Sequence, residues 1–150
     1  MGLDMYLTAR RHISEFGDKE LSTNLNKLTN DIRKGYQVQG ITVEAMYWRK
    51  ANAIHNWFVK NVQYGIDDCK LHPVSGSQLK QLLDIVTYVL DYPDQADSEL
   101  PTSSGFFFGD TEYNEWFFDS LKNTKEQLTK LLEDFGTDDF YWNFYYQSSW

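Results

Sequence analysis

One cysteine, Cys69, and three prolines are all that these 150 residues hold of the side chains that most constrain a backbone. A lone cysteine excludes an intramolecular disulfide and fits a reducing compartment. No apolar run approaches the roughly 18 residues needed to cross a bilayer, so no membrane association is expected. The opening stretch MGLDMYLTARRH has no uninterrupted apolar segment, which argues against a secretory signal. Tyr6 stands where a myristoylation motif places Ser or Thr. A cytoplasmic protein is the expectation. Positive charge is also scarce, the net charge being −8. Affinity for nucleic acid comes largely from neutralising phosphates, so direct nucleic-acid binding is not expected.

Several catalytic and metal signatures are missing as well. There is no His-x-x-x-His, no Cys-x-x-Cys, no P-loop, no Rossmann glycine fingerprint, no Gly-x-Ser-x-Gly elbow and no calcium loop. Cys69 and His72 are close enough in sequence to suggest a thiolate–imidazole pair. However, Asp67 and Asp68 precede the thiol and would raise its pKa rather than lower it. Glu112 and Glu115 fall near a helix start, where the macrodipole accounts for them. The balance leans against an enzyme, and no metal or cofactor is expected.

What the chain has in excess is aromatic rings: ten Tyr, ten Phe and five Trp. Aromatic packing should dominate the core, and the length suits one domain. Charge is uneven along the chain. Residues 1–75 carry ten Lys/Arg against eight Asp/Glu, whereas residues 76–150 carry four against fourteen. The acidic half either solubilises an aromatic-rich domain or faces a basic partner.

Periodicity predicts an α+β domain, with a small mixed or antiparallel sheet packed against three to four helices. Leu3–Ala9 alternates as a strand. Leu21, Leu25, Leu28 and Ile32 mark an amphipathic helix over 20–34. Residues 35–43 suggest a brief strand between glycines. Thr42 as N-cap, with Glu44 in the first turn, predicts a helix running to about Val62. Ser75 and Gln78 form a capping box ahead of a stripe of Leu79, Leu82, Leu83, Val86 and Leu90. Residues 91–105 read as a polar loop and GFFFGD (105–110) as a buried strand. A long helix is expected from Thr111 to Phe135, stopped by Gly136. The tail alternates as a strand, with Phe140, Trp142, Phe144 and Tyr146 on one face.

Residues 46–61, MYWRKANAIHNWFVKN, are the densest polar-aromatic stretch. On a helical wheel Met46, Tyr47, Ala51, Ile54, Trp57, Phe58 and Val62 share a buried arc, with Lys50 unexpectedly inside it. Trp48, Asn52 and His55 make a flanking ridge, and Arg49 and Asn56 point away from the core. The ridge reads either as a ligand wall or as cover for neighbouring structure, with His55 a less favoured general base. Phe106–Phe108 read as sheet core or as a place of close backbone approach. Tyr113 and Trp116, one turn apart, could wall a pocket.

The blocks MGLDMYL, WRKANAIHNWF (48–58), DDC (67–69), SGFFFG (104–109) and YNEWF (113–117) resemble a small uncharacterised protein family of bacteriophages and prophages. The resemblance covers nearly the whole chain. It brings no activity or catalytic residue, and implies a phage or mobile-element setting inside a host cell, where small accessory proteins often interfere with host processes or immunity.

Together these features lead to an expected non-catalytic binding protein that holds a small anionic or nucleotide-like ligand. The pocket walls would be Trp48, Asn52 and His55 on one side and Phe107, Tyr113 and Trp116 on the other. Arg10, Arg49 and Lys50 would be the anion contacts. The alternative is an acidic inhibitor, of anti-CRISPR or anti-restriction type, that blocks a nucleic-acid-binding host protein. Homo-oligomerisation is compatible with either.

Overall fold

Alternation of apolar and polar side chains builds the centre of the fold. β1, Asp4–His12, sends Met5, Leu7 and Ala9 to one face, where all three are fully buried. β4, Trp142–Ser149, lies antiparallel beside it and buries Phe144, Tyr146 and Ser148 on the same face. β2, Gly40–Arg49, pairs with the other side of β1, and the three-residue β3, His72–Val74, completes the far edge. The order is β2-β1-β4-β3 and every pairing is antiparallel. This computed structural model describes residues 2–32 and 35–150, without the side chains of Asp31 and Ile32.

Helices cover one face of the sheet. α1, Lys19–Ile32, follows β1; the expected stripe residues Leu21 and Leu25 are half-buried and Leu28 is exposed, while Ile32 and positions 33–34 lie outside the description. α2 is Asn52–Asn61, and α3 is Gly76–Asp91, opened by the Ser75–Gln78 capping box as the spacing predicts. Pro93–Gln95 forms a single 3-10 turn, α4 is Ala96–Glu99, and α5 is Glu115–Phe135, ended by Gly136 with φ +72°. Leu79, Leu82, Val86 and Val89 of α3 meet Phe117, Leu121, Leu128 and Leu131 of α5 in one core with the sheet. The ring of Phe58 stacks on Tyr146 at 3.9 Å. The α+β class is as the pattern predicts, with five α-helices among the described residues because of the short α4.

Four expectations need correction. The helix expected from Thr42 to Val62 is instead strand β2, a break at Lys50, and the ten-residue α2. Lys50 adopts φ +54°, a left-handed conformation that no helix passes through. GFFFGD is a turn rather than a strand: Phe106 is 95% exposed and Phe108 is buried. A Cβ on Gly105 would stand 2.7 Å from the Phe108 ring, so the segment folds tightly on itself. α5 starts at Glu115, because Asn114 accepts from the Phe117 amide and caps it. Phe140 lies outside β4 and is 92% exposed. Pattern reading also misses β3, the 3-10 turn and α4, each too short to show a period.

Candidate functional site

The ridge expected on a single helix is split between two elements, and most of it is packed. Trp48 belongs to β2, points under the helices and is 3% exposed; its indole N–H donates to Oγ1 of Thr124 on α5 at 2.9 Å. Asn52 opens α2 and is buried. Its amide donates to the carbonyls of Phe108 at 3.2 Å and Asp110 at 2.8 Å, and its oxygen accepts from the Ser103 amide at 3.2 Å. Both ends of that side chain are thus spent on holding the 103–110 loop. Asn56, expected to face away from the core, reaches the Pro101 carbonyl at 2.9 Å.

His55 is the middle of a buried polar chain. Nδ1 lies 2.7 Å from the Tyr146 hydroxyl and Nε2 lies 3.1 Å from Oδ2 of Asp67. The other oxygen of Asp67 accepts from the Trp150 indole at 3.3 Å. An ionised Asp67 requires the hydrogen on Nε2, which leaves Nδ1 to accept from Tyr146. Burial, followed by the Asp67 charge, pushes the Tyr146 phenol well above its ordinary range, so it keeps the proton this bond needs. With His55 1% exposed and both nitrogens engaged, its ring is structural and has no face for a substrate.

Lys50, placed by the helical wheel inside the core arc, lies at the strand–helix break with its stem beside glycines. A Cβ on Gly109 would meet its Cβ at 3.2 Å, and one on Gly2 would meet its Cε at 3.3 Å. The ammonium stays exposed, so the side chain runs along an apolar surface and keeps its head in water. Lys50, Asn52, Asp110, Asn114 and Trp116 border a cleft of ≈ 20 Å³. That is room for about one water and far short of the several hundred Å³ that a nucleotide occupies. The expected pocket between the 46–61 segment and SGFFFG is therefore filled by their own packing.

A larger concavity lies next to it. Tyr47, Trp48 and Arg49 at the end of β2 face Trp116, Asp119, Ser120 and Asn123 of α5 across a groove of ≈ 340 Å³. The four helix residues are spaced i, i+3, i+4, i+7, which is one face of α5. Trp48 forms the floor, and Trp116, 70% exposed, stands as an indole wall. Arg49 forms no ion pair among the described residues, whereas Asp119 is held by Lys122 at 2.8 Å. The Asp119 carboxylate raises the Lys122 pKa through that bond.

Of the nine residues singled out by sequence, Trp48, Arg49 and Trp116 line this groove, and Lys50 and Asn52 border the cleft beyond Trp116. The rest do not join it. Arg10 is at the other end of the strand pair, opposite Thr42, with its guanidinium 4.9 Å from the Tyr145 ring centre. Phe107 contributes its carbonyl to the Leu3 amide at 3.0 Å. Tyr113 accepts from the Thr102 amide at 3.2 Å and sets its ring edge-on to Phe117. Pattern reading missed Tyr47, Asp119, Ser120 and Asn123. The helical spacing of the last three from Trp116 was the available signal.

Cys69 is exposed, and the acids before it are engaged: Asp67 by His55, and Asp68 by Nε2 of His72 at 2.7 Å. The His72 bond holds the Asp68 carboxyl below its usual range. Among the described residues no three His, Cys, Asp or Glu side chains converge as metal ligands, and no helix is long and apolar enough to cross a membrane. Compared with protein-family models, curated proteins and solved structures, the chain matches none.

Proposed function

We propose that this chain is a non-catalytic binding protein of phage-accessory type, and that it acts by seating part of a host protein in the groove between β2 and α5. The observation that carries the reading is Trp116, 70% exposed on a wall of a ≈ 340 Å³ groove whose opposite rim is the edge strand at Tyr47–Arg49. An indole so exposed contributes little to folding, and Trp and Arg are the residues that dominate protein–protein contacts. The acids of residues 76–150 sit on the helical layer and its connections, and β4 carries none. That layer forms one wall of the groove, and it favours a partner whose surface around the seated segment is basic during approach. The phage or mobile-element setting that the resemblance implies suits such a protein as a counter-defence inhibitor of a host protein.

A second reading keeps a small flat anion stacked on Trp116. It is favoured by the position of that indole, which borders both the groove of Arg49 and the cleft of Lys50. One experiment separates the two. A photo-crosslinking amino acid is placed at Asn123 and expressed in the host cell, with and without the pair Arg49→Glu and Trp116→Ala. In parallel, purified protein is screened for thermal shift against nucleotides and cyclic or ADP-ribose-type compounds. A defined host protein cross-linked only by the unsubstituted groove, with a silent compound panel, is the expected result. A compound that raises the melting temperature, or cross-links indifferent to the double substitution, would remove the protein-binding proposal.

A further inference from the structure

The two edges of the sheet are finished differently. On one side β3 is only three residues long and has Pro73 at its middle, a device that blunts pairing. On the other side β2 runs for ten residues, and among the described residues no strand lies beyond it. The ladder with β1 is irregular next to Ala45, since Leu7 pairs with Met46 and Thr8 with Glu44. The bulge separates Met46–Arg49 from the rest of β2. Of that stretch, Tyr47, Trp48 and Arg49 line the groove.

Backbone alternation identifies which groups are free there. The Lys50 amide donates to the Leu3 carbonyl at 2.8 Å, so Lys50, Trp48 and Met46 turn their N–H and C=O groups toward β1. Tyr47 and Arg49 turn theirs outward. Each offers one donor and one acceptor to whatever lies along the edge.

We infer that the occupant of the groove is an extended peptide segment that adds to β2 as a fifth, antiparallel strand. The inference rests on the groove being the binding surface and specifies how that surface works. A strand added here exchanges hydrogen bonds with Tyr47 and Arg49, and its side chains alternate. Those on the helix side enter the groove between Trp48 and Trp116, which suits leucine, valine or an aromatic ring. Those on the other side lie on the open sheet face beside Tyr47 and Arg49. Because Arg49 lacks an ion-pair partner among the described residues, a glutamate or aspartate opposite it completes a cross-strand pair. The recognised sequence is thus an alternation of apolar and acidic residues.

The test uses the full chain and an acetylated, amidated peptide of sequence Thr-Glu-Leu-Glu-Val-Glu-Leu-Thr, together with the same peptide N-methylated at alternate amides. Calorimetry should show binding of the parent and at least a tenfold loss in the N-methyl register that blocks the donated bonds. In the protein, Tyr47→Pro and Tyr47→Ala both lose the phenol and its bond to Asp4, but only the proline also loses the outward N–H, so Tyr47→Pro should abolish binding and Tyr47→Ala should bind. Arg49→Glu should weaken binding, and a lysine-for-glutamate peptide should restore it. Binding indifferent to N-methylation and to Tyr47→Pro overturns strand addition while leaving the groove as a binding surface. No peptide binding, with a dimer seen by ultracentrifugation that Tyr47→Pro dissociates, overturns it in favour of a second copy on the same edge. Loss of the partner cross-link with the peptide still bound would instead fault the proposed function.

Discussion

The Trp48 indole N–H and the Thr124 hydroxyl, 2.9 Å apart, tie the edge strand to the middle of α5 beneath the groove. The same hydroxyl donates to the Ser120 carbonyl at 2.7 Å, so its hydrogen and a lone pair are both committed. Both groups are buried, and neither has water to turn to.

Replacing Thr124 by valine keeps the shape and leaves the indole N–H unsatisfied. A loss of roughly 1–3 kcal/mol is expected, read as a lower urea midpoint at unchanged slope. Thr124→Ser retains the hydroxyl and should keep most of the stability. Equal losses in both variants would show that the methyl group, not the bond, matters at this position.

The Tyr146 phenol gives the protein an alkaline limit. Burial and then the Asp67 charge raise its folded pKa well above the ordinary tyrosine value of 10.0. Above that pH the unfolded chain loses the phenolic proton while the folded chain retains it. The unfolded state then binds fewer protons, and stability falls as pH rises. Below pH 10 this contribution is fully present. Tyr146→Phe should be less stable at pH 7, because Nδ1 of His55 loses its donor, yet flatter between about pH 10 and pH 12. A wild-type alkaline limb of the same steepness as the variant's would sink this assignment.

Gly76 is packed against the connection between α5 and β4. A Cβ there would stand 2.2 Å from the Thr137 carbonyl oxygen, a backbone atom that cannot swing aside. Gly76→Ala should cost about 1–3 kcal/mol or more, measured by thermal or urea unfolding. Gly35→Ala provides the contrast: nothing lies within 4 Å, so only its φ of +87° opposes the methyl.

Tyr64, three residues past the end of α2, adopts φ +56° with 93% of its surface exposed. A left-handed conformation costs a non-glycine residue on the order of 1 kcal/mol, and this side chain recovers nothing from packing. Tyr64→Gly should therefore match or exceed the wild type in stability, by up to about 1 kcal/mol. A clear drop in melting temperature would mean that the ring makes a contact worth more than the backbone strain.

How much of this was legible in the chain varies by element, for physical reasons. β1 and β4 alternate without interruption, and α3 carries both a capping box and an unbroken stripe, so all three are readable. β2 is not readable as a strand from Thr42 onward, because its bulge at Ala45 shifts the parity of its inward residues. Val43, Met46 and then Ala51 and Ile54 imitate helical spacing across a bulge and a left-handed residue. Neither feature leaves a composition signal, since Lys50 is not a residue that announces positive φ. Of the site, Trp48, Arg49 and Trp116 were found by their chemistry. The groove that joins them depends on which strand is left at the edge of the sheet, and that follows only from the tertiary order.

That order also bears on how the chain reaches its native state. β1 and β4 are nearest neighbours in the sheet although almost the whole polypeptide separates them; Asp4 faces Ser149. No segment lacking the last strand can cover both flanks of Met5, Leu7 and Ala9. Closing so long a loop is entropically costly before any contact rewards it, so the sheet should assemble late and slowly compared with a helical domain of this size. During synthesis the α2–α5 region leaves the ribosome before β4 exists. Until then the bare inner flank of β1 is the surface that a chaperone or an unwanted strand would meet first.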